Sequence, residues 1–170
     1  MTIDATLDTT KLLNEVCGQL KDRIRHIDPN ELGLIGIHTG GVWVANKIAG
    51  ELQLKTNVGE LNIAFYRDDF SKIGVHPTVK PSQLPFEVNG RHLILVDDIL
   101  HTGRTVRAAM NEIFDYGRPL SISLVVLIAR SGRELPIHAD VCGADISLSK
   151  GEHVKLRGPE PLRLEICRDS

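Results

Sequence analysis

The segment 93–105 combines residue types whose order suits the binding of a phosphorylated sugar. Asp97 and Asp98 directly follow an apolar run, and the sequence Thr-Gly-Arg-Thr occupies positions 102–105. Carboxylates accept hydrogen bonds from sugar hydroxyls, whereas the open N–H groups at the start of a helix, together with threonine hydroxyls, donate to a phosphate. Gly103 would let the backbone approach that phosphate closely. The segment therefore predicts a site for a ribose 5-phosphate.

The elements around this segment alternate between strand and helix. Apolar residues predict a buried strand over 92–96, then a loop over 97–102, then a helix that Gly117 and Pro119 end. Open α/β sheets bind their ligands at the carboxyl ends of the strands. Asp97 and Asp98 would lie at that edge.

The same periodicities predict elements along the rest of the chain. They are a first amphipathic helix that ends near Asp28–Pro29, a strand over 34–37, a turn over 38–41, a second helix, strands over 61–65 and 121–128, and a final strand at 162–166. The alternation predicts an α/β fold with a mostly parallel sheet.

Composition and missing motifs exclude several classes of protein. A chain of 170 residues with 42% hydrophobic and 25% charged residues is typical of one globular domain rather than a disordered chain. The net charge of −2 gives no strong general attraction to nucleic acid, although a local basic face stays open. The sequence contains no Walker A loop, no GxGxxG fingerprint and no CxxC pair.

The N-terminal and apolar segments predict the location of the protein. No secretory signal and no apolar run long enough to span a membrane occurs, and Cys17, Cys142 and Cys167 lie far apart in the sequence. Free thiols of this kind are typical of a reducing compartment. We therefore expect a cytoplasmic protein with no membrane partner.

The long segment Tyr66–Phe86 has little periodicity and contains Pro77, Pro81 and Pro85. A loop of this length within a compact domain is usually functional or mobile. We interpret it as a flexible lid.

The string VDDILHTGRT at 96–105 resembles the phosphoribosyl pyrophosphate (PRPP) motif of type I phosphoribosyltransferases. Further stretches, at 66–69, 103–108, 117–119 and 133–137, resemble the PyrR family of pyrimidine operon regulators with uracil phosphoribosyltransferase activity. The matching stretches extend from the first helix to about Gly143, which is most of the chain.

This resemblance implies a fold and a reaction. The fold would be a type I phosphoribosyltransferase domain over 1–170, with a parallel core and a small hood built mainly from about 129–170. The reaction would convert uracil and PRPP to UMP and pyrophosphate with Mg²⁺. The family also implies a homodimer or a tetramer.

The resemblance also assigns roles to individual residues. Asp97 and Asp98 would hold the ribose hydroxyls, with Mg²⁺ near them or bound indirectly. The other proposed PRPP ligands are the pyrophosphate residues His38, Thr39, Gly40 and Gly41 and the 5-phosphate residues Thr102, Gly103, Arg104 and Thr105.

Three further side chains have both a functional and a structural interpretation. Arg67 would be a catalytic cation in the lid, or else a surface arginine. Arg130 would donate to a uracil carbonyl, or else pack within the hood. His101 would move a proton of the base, because histidine titrates near neutral pH, or else form a passive wall of the site.

Departures from the family pattern bear on both activities. The turn His38-Thr39-Gly40-Gly41 stands where relatives often have Lys-Thr-Arg-Gly, so pyrophosphate binding must rely more on the backbone, Mg²⁺ and Arg67. On the face that binds RNA in regulatory members, Arg133 is retained, but His138 and Ala144 replace two cations.

Three functions therefore follow from the sequence. The first is a uracil phosphoribosyltransferase. The second is a UMP- or PRPP-responsive, RNA-binding regulator of pyrimidine genes with weak or no catalysis, whose doubtful RNA contacts are Arg133 and His138. The third is a purine or other phosphoribosyltransferase; the histidine at position 101 argues mildly against it, since purine enzymes commonly carry an acid there.

Overall fold

A computed structural model of the chain describes residues 2–63 and 81–169. In chain order its elements are β1 (Thr2–Leu7), α1 (Thr9–Ile24), a 3-10 turn (Pro29–Glu31), β2 (Leu32–Ile37), α2 (Gly40–Glu51), β3 (Gly59–Leu61), β4 (His92–Leu100), α3 (Arg104–Tyr116), β5 (Ser121–Arg130), β6 (Val141–Ile146), β7 (Glu152–Arg157) and β8 (Arg163–Arg168). None of the helices in these ranges is long and apolar enough to cross a membrane.

A parallel sheet of five strands forms the centre of the fold, in the order β3-β2-β4-β5-β6. β4 lies in the middle and pairs with β2 over His92–Val96 and with β5 over its whole length. Because the strands are parallel, their carboxyl ends meet at one edge. The residues that follow β2 and those at the end of β4 are therefore neighbours.

The side chains of β4 alternate between the two faces of this sheet, and each face is covered. Leu93 and Leu95 pack in one apolar cluster with Val106, Ala109 and Ile113 of α3. Ile94 and Val96 pack in the other cluster, together with residues of α1 and α2. With this period of two, Asp97 continues the face of α3 and Asp98 continues the face of α2.

A separate antiparallel sheet of three strands has the order β1-β8-β7. Val154 of β7 and Leu164 of β8 are buried in the same cluster as α1 and α2. At the turn between these strands, Gly158 lies so close to Trp43 of α2 that an added Cβ would be 2.7 Å from its Cε3. This sheet therefore packs on the helices that follow β1 and β2.

The structure confirms most elements that periodicity predicts. The α/β class, the parallel central sheet and the end of α3 before Gly117 agree with the sequence analysis. The final strand is β8, one residue later in its start than Leu162. The lid prediction falls mostly on residues 64–80, which lie outside the described residues.

Two predicted strands differ from the structure in their bounds. The strand predicted over 61–65 is β3, which covers Gly59–Leu61 and does not include residues 62 and 63. Asp97 and Asp98 belong to β4 rather than to a loop, because β5 continues to pair with β4, with Val126 opposite Asp97 and Ile128 opposite Ile99.

The first helix and three further strands also differ from the prediction. The first helix ends at Ile24, and the N–H of Ile27 donates to the carbonyl of Ile24 in a turn. Strands β1, β6 and β7 were not expected; β6 joins the central sheet, and β1 pairs with β8 in the second sheet.

Candidate active site

Asp97 and Asp98 are fixed by the backbone at the end of β4. Asp97 is only 6% exposed, and its Oδ1 accepts the N–H of Asp98 at 3.0 Å. The Oδ1 of Asp98 in turn accepts the N–H of Ile99 at 2.9 Å. These bonds hold both carboxylates in place at the end of β4. Acceptor oxygens are thus presented at the sheet edge.

The turn at 38–41 packs directly against these acids. A Cβ added to Gly40 would lie 2.7 Å from Cγ of Asp98 and would collide with its Oδ2. A Cβ on Gly41 would lie 2.5 Å from the carbonyl oxygen of Val96. Only glycine fits at both positions, because any side chain would push α2 away from β4.

Two helices begin at this edge; one precedes Asp98 in the chain and the other follows it. α2 starts at Gly40 and α3 at Arg104, and neither has an acidic residue in its first turn. The residues at the caps, Thr39 and Gly103, give no side-chain bond to their helices. Both helix starts therefore present N–H groups and a positive dipole end, which suit anions.

The turn before α3 accepts backbone hydrogen bonds from residues 134 and 135. The carbonyl of Thr102 accepts the N–H groups of Glu134 and Leu135, both at 3.0 Å. The Thr102 hydroxyl accepts the N–H of Arg104 at 3.2 Å. Gly103 has φ +93°, which favours glycine, and an added Cβ would be 3.3 Å from Cβ of Leu135. The turn at 102–105 is therefore held in one shape.

Arg104 pairs with a residue that the sequence analysis did not single out. Its Nε donates to Oε2 of Glu134 at 2.9 Å, and both side chains are about half exposed, at 52% and 53%. The guanidinium is therefore directed toward the segment 131–138 as well as standing at the start of α3. Glu134 thus links that segment to the turn at 102–105.

His38 likewise pairs with an unexpected residue. Its ring Nε2 lies 2.6 Å from Oε2 of Glu60 on β3, and its backbone N–H donates to the carbonyl of Leu61 at 2.9 Å. The peptide between His38 and Thr39 is cis. The first residue of the turn is thus attached to β3 by both its backbone and its side chain.

A cavity of about 290 Å³ opens beside the end of β4. Its lining residues are Leu100, His101, Ala129, Arg130, Ser131, Gly132, Arg133, Asp145, Ile146 and Ser147. The Nε of Arg130 is buried and has no hydrogen-bond partner in the described part of the chain. Arg130 also lines the cavity, so its guanidinium is a candidate donor to a ligand there.

His101 forms a wall of this cavity. It lies against Gly132, where φ is +104° and an added Cβ would be 2.9 Å from Nε2 of His101. Burial lowers the pKa of His101, the charge of Arg130 lowers it further, and the carboxylate of Glu134 acts in the opposite direction. The neutral imidazole, which can accept a proton, is therefore favoured at neutral pH.

The two side chains predicted to contact RNA contact each other. An Nη of Arg133 lies 3.1 Å from Nδ1 of His138. Arginine can only donate, so Nδ1 of His138 is the acceptor wherever this contact is a hydrogen bond.

The structure brings most of the predicted residues to one edge of the sheet. They lie at the carboxyl ends of three adjacent strands or directly after them: the turn at 38–41 follows β2, the two acids lie within the end of β4 with His101 and the turn at 102–105 after it, and Arg130 ends β5. Arg67 lies outside the described residues. In the ranges 2–63 and 81–169, no group of three or more His, Cys, Asp or Glu side chains forms a metal cluster on its own.

Sequence reasoning missed Glu60, Glu134 and Asp145. Glu60 lies between the buried Gly59 and Leu61, which is the ordinary alternation of a strand and gives no signal of a special role. Its contact with His38 follows from the pairing of β3 with β2, and no local pattern gives that register.

Comparisons with known proteins agree with this geometry. The phosphoribosyl transferase domain family matches residues 2–157. A curated protein of Nitrosococcus oceani named bifunctional protein PyrR is 54% identical over 95% of this chain and 92% of its own length. One of the same name from Pseudomonas fluorescens is 50% identical over 92% of this chain and 93% of its own length.

Solved structures with a similar fold are more distant in sequence. The hypoxanthine phosphoribosyltransferase of Trypanosoma cruzi matches with a TM-score of 0.69 at 18% identity, over 98% of this chain and 92% of its own. A hypoxanthine-guanine phosphoribosyltransferase of Bacillus anthracis matches with a TM-score of 0.68 at 17% identity, over 86% and 85% of the two chains. At these identities the likeness concerns the fold alone, which is that of type I phosphoribosyltransferases.

Proposed function

The chain belongs to the PyrR family of phosphoribosyltransferases, and from this premise we propose that it converts uracil and PRPP to UMP and pyrophosphate. The observation that carries the proposal is the contact of Asp98 with Gly40. It brings an acceptor for the ribose hydroxyls next to the start of α2, while α3 begins just beyond β4. A sugar that carries one anionic group on each side would fit this arrangement, with its hydroxyls at the acids and its two anionic groups at the two helix starts.

In this proposal each part of PRPP has its own partners. The ribose hydroxyls donate to the carboxylates of Asp97 and Asp98. The 5-phosphate accepts N–H groups at the start of α3, with Thr102, Gly103, Arg104 and Thr105 around it. The pyrophosphate accepts N–H groups of residues 39–41.

The reaction would replace the bond from C1 of the ribose to pyrophosphate by a bond from C1 to N1 of uracil. Positive charge develops on the sugar in such a displacement, and the carboxylates of Asp97 and Asp98 are near enough to the proposed ribose site to stabilise it. Arg67 is proposed as a further cation on the pyrophosphate side. The two carboxylates, which backbone bonds hold in place, lower the barrier because they need no reorganisation.

Mg²⁺ fits this donor set only together with the substrate. It commonly binds one or two carboxylates and completes its octahedron with phosphate oxygens and water. Asp97 and Asp98 would supply the carboxylates, directly or through water, and the metal would neutralise charge on the pyrophosphate. This agrees with the lack of a complete protein-only cluster in the described ranges.

The base is proposed to bind in the cavity beside β5. The position of Arg130 in the cavity lining supports this, because its guanidinium can donate to a uracil carbonyl oxygen. His101 is proposed to accept the proton that N1 of uracil loses; its lowered pKa keeps the imidazole unprotonated, and so available as an acceptor, at neutral pH. If His101 is only a wall, His101→Gln will leave turnover unchanged.

The experiment is the formation of labelled UMP from uracil and PRPP with Mg²⁺. The wild type is compared with Asp97→Asn, with Asp98→Asn and with Asp115→Asn, a control at an exposed position of α3. We expect both site variants to lose about a hundredfold or more in kcat/KM and the control to stay active. Equal activity in all four proteins would contradict the proposed roles.

A second function, as an RNA-binding regulator, is favoured by one observation. Residues 134 and 135 bond the carbonyl of Thr102, so the segment with Arg133 and His138 is attached directly to the proposed 5-phosphate turn. A nucleotide at that turn would thereby act on the RNA-facing segment. A salt-sensitive gel shift with a leader hairpin is expected, and its absence at low salt with UMP present would contradict this function.

The proposal also includes location and assembly. Cys17, Cys142 and Cys167 are all free, which supports the reducing cytoplasm. A homodimer or a tetramer is proposed from the family alone, and light scattering would distinguish these from a monomer.

A further inference from the structure

Glu60 is held in place by backbone bonds on both sides of β3. It lies opposite Gly36 in the parallel pairing with β2. On the other side, its N–H and carbonyl both bond Gln83, each at 2.8 Å. A residue fixed from two directions presents its side chain in a defined position.

The carboxylate of Glu60 reaches the first residue of the turn 38–41. The distance of 2.6 Å from its Oε2 to Nε2 of His38 is that of a short, strong hydrogen bond. The His38 side chain is 20% exposed and that of Glu60 is 38% exposed, so the pair is partly shielded from water. Shielding strengthens such a bond relative to one at the open surface.

This bond acts together with the backbone bond from His38 to Leu61. The two attachments define how the chain leaves β2 and enters α2. The next residues are those whose N–H groups face the sheet edge, and Gly40 is packed on Asp98 with no spare room. A small rotation at His38 would therefore disturb both the helix start and the carboxylate.

We propose that Glu60 is a positioning residue for the turn that binds pyrophosphate, and that it acts through the ring of His38. The inference rests on the proposed function for the identity of the anion. Glu60 itself need not touch the anion. Its carboxylate fixes the ring of His38, and the position of His38 fixes the turn at 38–41. This gives a role to His38, which stands where relatives often carry lysine.

The test measures binding of magnesium pyrophosphate by calorimetry, which requires no turnover. The proteins are the wild type, Glu60→Ala, Glu60→Gln, His38→Ala and the double variant Glu60→Ala with His38→Ala. We expect each alanine variant to bind about tenfold more weakly, because a misplaced turn loses part of its contacts. Glu60→Gln should stay within about threefold of the wild type, because its amide oxygen still accepts the ring N–H.

The double variant distinguishes positioning from an independent effect. If Glu60 acts through His38, the double variant binds no more weakly than the weaker single variant, because both changes remove the same interaction. Losses that multiply would overturn the proposal, and so would unchanged binding in Glu60→Ala. The KM for PRPP should also rise in Glu60→Ala while the KM for uracil stays the same.

Glu165→Ala is the matched control. Glu165 is exposed to a similar extent, at 36%, and pairs with Arg157 at 3.0 Å on the second sheet. It should bind magnesium pyrophosphate like the wild type, and thermal melting will show whether every variant is folded. A wild type that binds magnesium pyrophosphate but forms no UMP would contradict the proposed function and leave this inference intact. A wild type that does not bind it would overturn the inference.

Discussion

The α-carbon of Gly40 and the carboxylate of Asp98 lie in contact, so that the start of α2 and the end of β4 share one small space. The contact arises because β2 and β4 are parallel neighbours and Asp98 continues the face of β4 that α2 covers. It joins a helix start, which suits an anion, to an acceptor for hydroxyl groups. Neither residue gives this combination alone.

Gly40→Ala should therefore damage the site far more than the fold. The new methyl group would displace the Asp98 carboxylate or the turn, and a shift of about 1 Å at a reacting centre can cost about a hundredfold in rate. We expect the KM for PRPP to rise and kcat to fall. The measurement is the steady-state rate at varied PRPP.

Gly50→Ala is the control for this change. Gly50 lies near the end of the same helix, and an added Cβ meets nothing within 4 Å. Alanine there should stabilise α2 by about 0.5–1 kcal/mol and leave the kinetic constants unchanged. Equal effects of the two substitutions on the KM for PRPP would contradict the importance of the contact.

Gly132→Ala should disturb the proposed base pocket. Its φ of +104° makes alanine strained, and the added Cβ would lie 2.9 Å from Nε2 of His101. Gly151→Ala is a matched control, with φ +82° and open space around the added Cβ. Both should lose about 1–2 kcal/mol of stability in urea unfolding, but only Gly132→Ala should raise the KM for uracil. A raised KM in both variants would refute the pocket assignment.

The stability of the protein should depend on pH through His101. Burial and the charge of Arg130 lower its pKa, so between that lowered value and the ordinary value of about 6.5 the unfolded chain binds more protons than the folded one. The free energy of unfolding therefore rises with pH across this window. The loss of stability is present at acidic pH and disappears above the ordinary pKa of histidine.

His101→Gln removes this loss of stability. The free energy of unfolding of the variant, minus that of the wild type, should therefore be larger at about pH 5 than at about pH 8. Urea unfolding of both proteins at the two pH values measures this. The same difference between wild type and variant at both values would contradict the lowered pKa.

Much of this site was predictable because its chemistry lies in one continuous stretch. The acids and the Thr-Gly-Arg-Thr turn are adjacent in sequence, and the apolar run before them indicates a strand. Their placement within β4 was not predictable, because strand length depends on how far β5 continues to pair.

The partners of these residues could not be read from the sequence for a related reason. The contact of His38 with Glu60 depends on the register of β2 and β3, and that of Arg104 with Glu134 depends on how residues 134 and 135 return to Thr102. Strand β1 was missed because its pairing partner, β8, lies at the other end of the chain. Local periodicity carries no information about such distant pairs.

The pair of Arg133 and His138 predicts unequal contributions to RNA binding. Arg133 carries a permanent positive charge, which it brings to a phosphate, and its Nη lies 3.1 Å from Nδ1 of His138. Each phosphate contact contributes about one to the slope of log affinity against log salt. Arg133→Gln should therefore reduce that slope by about one for a leader hairpin, whereas His138→Gln should reduce it less. Filter binding over a range of salt concentrations measures both. Equal slopes for the wild type and Arg133→Gln would remove Arg133 from the RNA face, and an equal or larger reduction in His138→Gln would contradict the unequal contributions.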